Sequence, residues 1–111
     1  MGAHLGQHFL KNKEKLRNIA HMLALKQNEC VIEIGPGHGE LTREILKSAP
    51  KNIDYIVIEK DGTLAENLRA AHLPIKVVEG DVLTTLPTLT KNFQTTHTSY
   101  KIVGNIPYYI T

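Results

Sequence analysis

Two carboxylates bracket a glycine-rich turn in this chain: Glu33 stands two residues before Gly35, and Glu40 follows Gly39 directly, in the stretch VIEIGPGHGE. Glycines in such a turn tolerate positive φ and let a ligand approach the backbone, while the helix start behind them offers unpaired N–H groups. Many nucleotide cofactors use that layout. Its details select against a pyrophosphate. The spacing is G-x-G-x-G through Gly35, Gly37 and Gly39 with Pro36 inside the turn, and the dinucleotide spacing is G-x-G-x-x-G. Carboxylates on both sides would repel phosphate and favour a ligand carrying an ammonium or a sulfonium, and S-adenosylmethionine carries both. The competing reading makes Glu33 a solvent-facing strand residue and Glu40 a complement to the helix dipole.

Three further segments end in residues suited to the same ligand. Glu59 closes a β-branched and aromatic run 24 residues beyond Gly35, where it can accept both hydroxyls of a ribose. Asp81 can accept from an adenine amino group, and Val82 behind it can offer a backbone N–H to the ring. The fourth segment reads Asn105-Ile106-Pro107-Tyr108. An exocyclic amine has two donors, which the Asn105 side-chain oxygen and the Ile106 carbonyl can accept together if Pro107 fixes the turn; Tyr108 then gives the base a face to stack on. That leaves the nitrogen lone pair available. In-line displacement at a sulfonium methyl needs orientation more than a strong base. The competing reading is a set of solvated strand ends, with tyrosines packed after the last one.

Periodicity supplies the elements that must hold these residues together. Leu16, Ile19, Ala20 and Leu23 repeat at helical spacing, with Asn12 as N-cap and Glu14 in the first turn. Strands are expected at Cys30 to Ile34, Ile53 to Ile58, Ile75 to Val78 and Tyr100 to Gly104. A helix after Gly39 buries Leu41 and Ile45 and stops before Pro50; another opens at Asp61-Gly62 with Leu64, Leu68 and Ala71 inward. Residues 82–99 contain seven threonines and weak periodicity, which predicts a short helix and a loop. Strands and helices in alternation give an α/β fold with a parallel sheet and right-handed crossovers. Ligands of such sheets bind at the carboxyl ends of the strands, where all the residues named above fall.

Composition narrows the class. With 111 residues the chain suits one core, and 41% hydrophobic and 22% charged residues are ordinary for a globular domain. No apolar run approaches the roughly 20 residues of a membrane helix, and no apolar signal region opens the chain; a cytoplasmic site is expected. The single cysteine, Cys30, is expected in the core. Six histidines without paired spacing predict no metal. Lys11, Lys13, Lys15, Arg17 and Lys26 exceed the acidic residues of 1–29 by three, which suits a phosphate backbone.

The stretches LGQHFL (5–10), VIEIGPGHGELT (31–42), VIEKD (57–61), EGDVL (79–83) and NIPYYIT (105–111) together resemble the N-terminal part of the ribosomal RNA adenine dimethyltransferase family. That resemblance implies a Rossmann-like class I S-adenosylmethionine-dependent methyltransferase fold. It also implies dimethylation of the N6 amines of two adjacent adenines in small-subunit ribosomal RNA. By it, His8 and Leu10 contact the cofactor, Gly35 its methionine part, Glu59 its ribose and Asp81 its adenine, with Asn105 between cofactor and target. Glu33 and Gly37 join this set from the turn. Position 8 is commonly asparagine in the family, so His8 is a variation. The chain is then expected to be the N-terminal part of the methyltransferase domain, 1–111, with its sheet truncated after the fourth strand. A helical RNA-binding domain would lie elsewhere, and the piece alone would be inactive. Any oligomer is expected through the exposed sheet edge. The alternatives are the related resistance enzymes acting on large-subunit RNA, a non-catalytic binding module, and a nicotinamide-dependent oxidoreductase.

Overall fold

The structure, a computed structural model, describes residues 12–96 and 99–104. Helix α1 (Lys13–Leu23) is opened by Asn12, whose side chain accepts the Lys15 N–H at 3.1 Å. Strand β1 (Cys30–Ile34) leads through the glycine turn into α2 (Glu40–Ser48). Strand β2 (Asp54–Glu59) is followed by α3 (Gly62–Ala70), capped by Asp61, whose carboxylate accepts from the N–H groups of Thr63 and Leu64. Strand β3 (Lys76–Glu79), α4 (Val82–Thr96) and β4 (Tyr100–Gly104) complete the described chain.

All pairings are parallel and the sheet order is β3-β2-β1-β4. Alternation along the strands feeds two cores. Val31, Tyr55 and Val57 pack with Leu16 and Ala20 of α1, Leu41 and Ile45 of α2 and Leu68 of α3. On the opposite face, Cys30, Ile32, Ile56 and Ile58 pack with Val82, Leu86 and Leu89 of α4. The chain thus changes faces between β3 and β4, and β1 and β4 flank the point where strand order reverses. In open α/β sheets the crevice outside the carboxyl ends of the strands at such a point is where ligands bind. Cys30 is fully buried, and burial pushes its thiol up to about 11, so it stays protonated as a core side chain.

Two sequence expectations change. In α3 the buried residues are Ala65 and Leu68, whereas Leu64 is half-buried and Ala71 is exposed at the C-cap. Residues 82–96 form one helix of 15 residues with Pro87 inside it, in place of a short helix and a loop. Packing of Val82, Leu86 and Leu89 against the sheet outweighs the threonines' weak propensity and the hydrogen bond that Pro87 lacks.

At the opposite edge of the sheet Lys101 ties β4 to α1. Its ammonium donates to the carbonyls of Leu23 and Ala24 at 2.5 and 3.1 Å and lies 3.3 Å from Glu29 Oε1. A cation at a helix C-terminus meets the negative end of the dipole. Glu29 also accepts from Lys26 N–H and Ser99 Oγ, contacts that with Lys101 hold its carboxyl below the usual range.

The two cores carry the stability. Leu41 is fully buried and Met22 is 83% exposed. Leu41→Ala should cost about 2–5 kcal/mol and Met22→Ala less than about 0.5 kcal/mol, measured by urea unfolding. Equal losses would contradict the packing described.

Candidate active site

Three glycines of the turn have positive φ: Gly35 at 64°, Gly37 at 61° and Gly39 at 88°. The turn is closed by Gly39 N–H donating to Pro36 O at 2.9 Å, and α2 begins by Arg43 N–H donating to Gly39 O at 3.0 Å. A Cβ at Gly37 would meet nothing within 4 Å, so the backbone there faces open space. At Gly39 it would come within 2.8 Å of Arg43 Nη1 and 3.0 Å of Leu68 Cδ2.

Glu59 fastens this turn to the next strand. It is 6% exposed, and its Oε1 accepts Gly37 N–H while Oε2 accepts Asp61 N–H, both at 3.0 Å. Each carboxylate oxygen can accept a second hydrogen bond. The residue expected to take two ribose hydroxyls is therefore already oriented by two backbone donors.

Asp81 lies two residues beyond β3, directly before α4. Its Oδ1 accepts Leu83 N–H at 2.9 Å, which makes it a helix cap, and Oδ2 lies 4.0 Å from Lys60 Nζ. Val82 is the first residue of α4, so its N–H has no acceptor within the helix. Ile34, Gly35, Ile58, Glu59, Asp81 and Val82 line a cleft of roughly 430 Å³, within the range of small-molecule sites. The structure thus brings Gly35, Glu59, Asp81 and Val82 together, with Gly37 latched to Glu59. A cavity of roughly 480 Å³ at the other end of β2 and β3, lined by Ile53, Leu73 and Pro74 among others, is remote from them.

Glu33 stands apart from the cleft-lining residues. It is fully buried on the face covered by α1 and α2, so neither direct exposure to a cleft ligand nor a solvent-facing position describes it. Its Oε1 accepts from Thr42 Oγ1 at 2.5 Å and from the Tyr55 hydroxyl at 2.7 Å. Burial, with smaller contributions from Glu40 and Glu59, pushes its carboxyl up to about 7 against the pull of the two hydrogen bonds. The same burial, with Glu33 beside it, holds the Tyr55 hydroxyl well above its ordinary range. Among the described residues, Glu33 Oε2 and Glu40 Oε1 are buried oxygens without a hydrogen-bond partner. Sequence reasoning missed Tyr55 and Thr42; the only available signal was a hydroxyl at each position, on elements packed against β1. His8, Leu10, Asn105, Ile106, Pro107 and Tyr108 lie outside the described residues. Strand β4 ends at Gly104 in register with Ile34, so Asn105 follows in sequence from the strand beside the glycine turn.

A parallel sheet with its glycine turn after β1, an acid closing β2 and a second acid closing β3 is the class I S-adenosylmethionine-dependent methyltransferase fold. Solved structures agree. The 23S rRNA methyltransferase ErmE superposes with a TM-score of 0.58 at 35% identity, covering 68% of this chain and 31% of that one. Coclaurine N-methyltransferase, at 20% identity and a TM-score of 0.51 over 62% of this chain and 22% of its own, shares the fold. The sequence model described as "Ribosomal RNA adenine dimethylase" matches residues 2–111, and the chain belongs to that family. Ribosomal RNA small subunit methyltransferase A of Chlorobium chlorochromatii (strain CaD3) is 43% identical over 110 residues, which cover 96% of this chain and 38% of the relative. The same-named protein of Streptococcus thermophilus (strain ATCC BAA-491 / LMD-9) is 36% identical over 107 residues, 96% of this chain and 37% of its own. The chain spans little more than a third of the length of these curated relatives.

The geometry separates two glycines. Gly37→Ala should cost about 1–2 kcal/mol from its left-handed φ alone. Gly39→Ala should cost more, about 2–4 kcal/mol, because the same strain is joined by contacts with Arg43 and Leu68. Thermal or urea unfolding of the two variants would reverse this order if the turn were built differently.

Proposed function

We propose that the protein carrying this chain is an S-adenosylmethionine-dependent adenine N6-dimethyltransferase of small-subunit ribosomal RNA, with residues 1–111 forming the N-terminal part of its methyltransferase domain. The observation that carries the reading is the Glu59 carboxylate, which links the glycine turn to β2 and stands in one cleft with Asp81 and Val82. The donor set fits the cofactor. Open space at Gly37 admits a ligand against the backbone, and each oxygen of the Glu59 carboxylate keeps a second acceptor position beside its backbone donor.

When bound, S-adenosylmethionine supplies an activated methyl group. Glu59 would accept from the ribose hydroxyls, Asp81 from the adenine amino group through Oδ2, and Val82 N–H would donate to the ring. His8, Leu10, Gly35 and Gly37 would complete the cofactor's surroundings, with Glu33 acting from inside the sheet. Asn105 and the Ile106 carbonyl would hold the target amine, Pro107 would set the turn and Tyr108 would stack on the base. Orientation of a neutral amine is the chief task, since its lone pair is the nucleophile. Exposed Lys13, Lys15 and Arg17 on α1 would meet RNA phosphates. The names of the curated relatives favour small-subunit RNA, and likeness to ErmE supports the large subunit as the second reading.

Calorimetry of the full-length protein with S-adenosylmethionine should show binding, and NAD should show none; binding of NAD alone would overturn the reading. Glu59→Ala should weaken cofactor affinity at least about ten-fold. Asn105→Ala should lower methyl transfer at least about a hundred-fold with cofactor affinity changed less than about three-fold. Equal losses in transfer and in cofactor affinity would remove Asn105 from the target amine.

A further inference from the structure

Charge is divided unevenly on the two helices that cover one face of the sheet. Lys13, Lys15 and Arg17 of α1 and Arg43 and Lys47 of α2 are all exposed, whereas of the acids on these helices Glu44 is buried, Glu40 half-buried and Glu14 alone exposed. On α3, by contrast, Arg69 is paired with Glu66 at 2.7 Å. Lys13 and Arg17 stand about one turn apart, as do Arg43 and Lys47, a step of about 6 Å along each helix. Leu16 and Ala20 of α1 pack with Leu41 and Ile45 of α2, so the two pairs of cations sit on neighbouring helices. Glu44, 7% exposed, belongs to both: its Oε2 accepts from Lys47 Nζ at 2.9 Å, and this bond, with the charges of Lys47, Arg17 and Lys13, holds its carboxyl below the usual range. Lys47 stays 70% exposed with two further donors. Arg43 Nη1 donates to the His38 carbonyl at 2.7 Å, so the α2 pair begins at the glycine turn. Folding does not ask for this excess of like charge, which repels itself; a polyanion gains from it.

We propose that Arg43 and Lys47 of α2 join Lys13 and Arg17 of α1 in one phosphate-binding face, with Glu44 as the counter-charge between them, and that the target RNA crosses this face to reach the glycine turn. The proposal rests on the reading of the protein as an RNA methyltransferase, and it adds to α1 a second helix and a direction. Cations repeated at one-turn spacing on two packed helices suit a chain that carries one negative charge per unit. Each cation that meets a phosphate releases a counterion, so the salt dependence of binding counts the contacts. Glu44 relieves repulsion among the cations of the free protein and subtracts from their pull on RNA. Its removal therefore moves stability and RNA affinity in opposite directions.

The test is the affinity of the full-length protein for a transcript of small-subunit ribosomal RNA, measured by fluorescence anisotropy between about 50 and 200 mM salt. Arg43→Gln and Lys47→Gln should each weaken binding about three-fold or more and lower the slope of log affinity against log salt by about 0.7–1, and the double variant should lose about twice as much. Lys76→Gln removes the same charge from β3 and should leave the slope unchanged. Lys47→Gln should alter S-adenosylmethionine affinity less than about two-fold, since its side chain stands outside the cleft. Glu44→Gln should bind RNA about two-fold or more tighter at low salt while unfolding at a lower urea concentration. Circular dichroism checks that each variant is folded, and the α2 cations, being exposed, keep the test open if Glu44→Gln is not. Unchanged slopes in Arg43→Gln and Lys47→Gln, with RNA binding by the wild type intact, would overturn the proposal and leave the methyltransferase reading in place. Equal losses in Lys76→Gln and Lys47→Gln would reduce the effect to net charge and overturn it too, as would weaker RNA binding by a folded Glu44→Gln protein. Equal affinity for phosphatidylserine vesicles would assign the face to a membrane surface. Cofactor binding without RNA binding by the wild type would overturn the RNA reading and the proposal with it.

Discussion

The carboxylate of Glu59 is the contact on which the site's geometry depends. One oxygen takes the Gly37 N–H from the turn after β1 and the other takes the Asp61 N–H from the turn after β2. Two loops with no regular pairing between them are thereby held at a fixed separation. Burial strengthens the effect, because a charged acceptor out of water forms stronger bonds to N–H donors and could not be left without them. Asp61 then caps α3, so orientation passes from the glycine turn into a helix through three residues.

Acidic residues close β2 and β3 for a local reason as well as a functional one. A strand that turns directly into a helix must supply an N-cap, and the side chain of choice is a carboxylate or amide. Asp61 follows Glu59 by two residues, and Asp81 follows Glu79 by two; each caps the next helix. Asp81 is both a cap and a member of the cleft. This is economical, since a capping oxygen is fixed in place and its second oxygen faces outward with a known direction. The distant Lys60, 83% exposed and 4.0 Å away, neutralises it only weakly.

Much of this was legible in the sequence because each strand, turn and cap is encoded within a few residues. The four strands, the Asn12 cap and the order of turn, acid and helix follow from local pattern. Features that depend on pairing across the sheet were not legible. Glu33 looks like an exposed or ligand-facing residue because strand alternation gives no sign of which face is covered, and its partners stand 9 and 22 positions away. The long α4 was hidden for a different reason. Threonines and Pro87 weaken its intrinsic preference, and the packing of Leu86 and Leu89 against the cluster of Cys30, Ile32, Ile56 and Ile58 exists only once the sheet is formed. Ala65 replaces Leu64 in the core because the inward face of α3 is set by its approach to Val57 and Val77, which sequence spacing alone leaves free.

The distribution of negative charge ties these observations together. Glu33, Glu40 and Glu59 surround one glycine turn, and their mutual repulsion grows as they leave water. Stability alone would disperse them. Glu59 is balanced by two backbone donors, so its burial is compensated within the fold; Glu33 is balanced on one oxygen only. The acids therefore differ in how their burial is compensated: Glu59 is fastened at both oxygens and Glu33 at one. Tyr55 and Thr42, buried in different elements, hold the Glu33 side chain in one orientation between β1, β2 and α2.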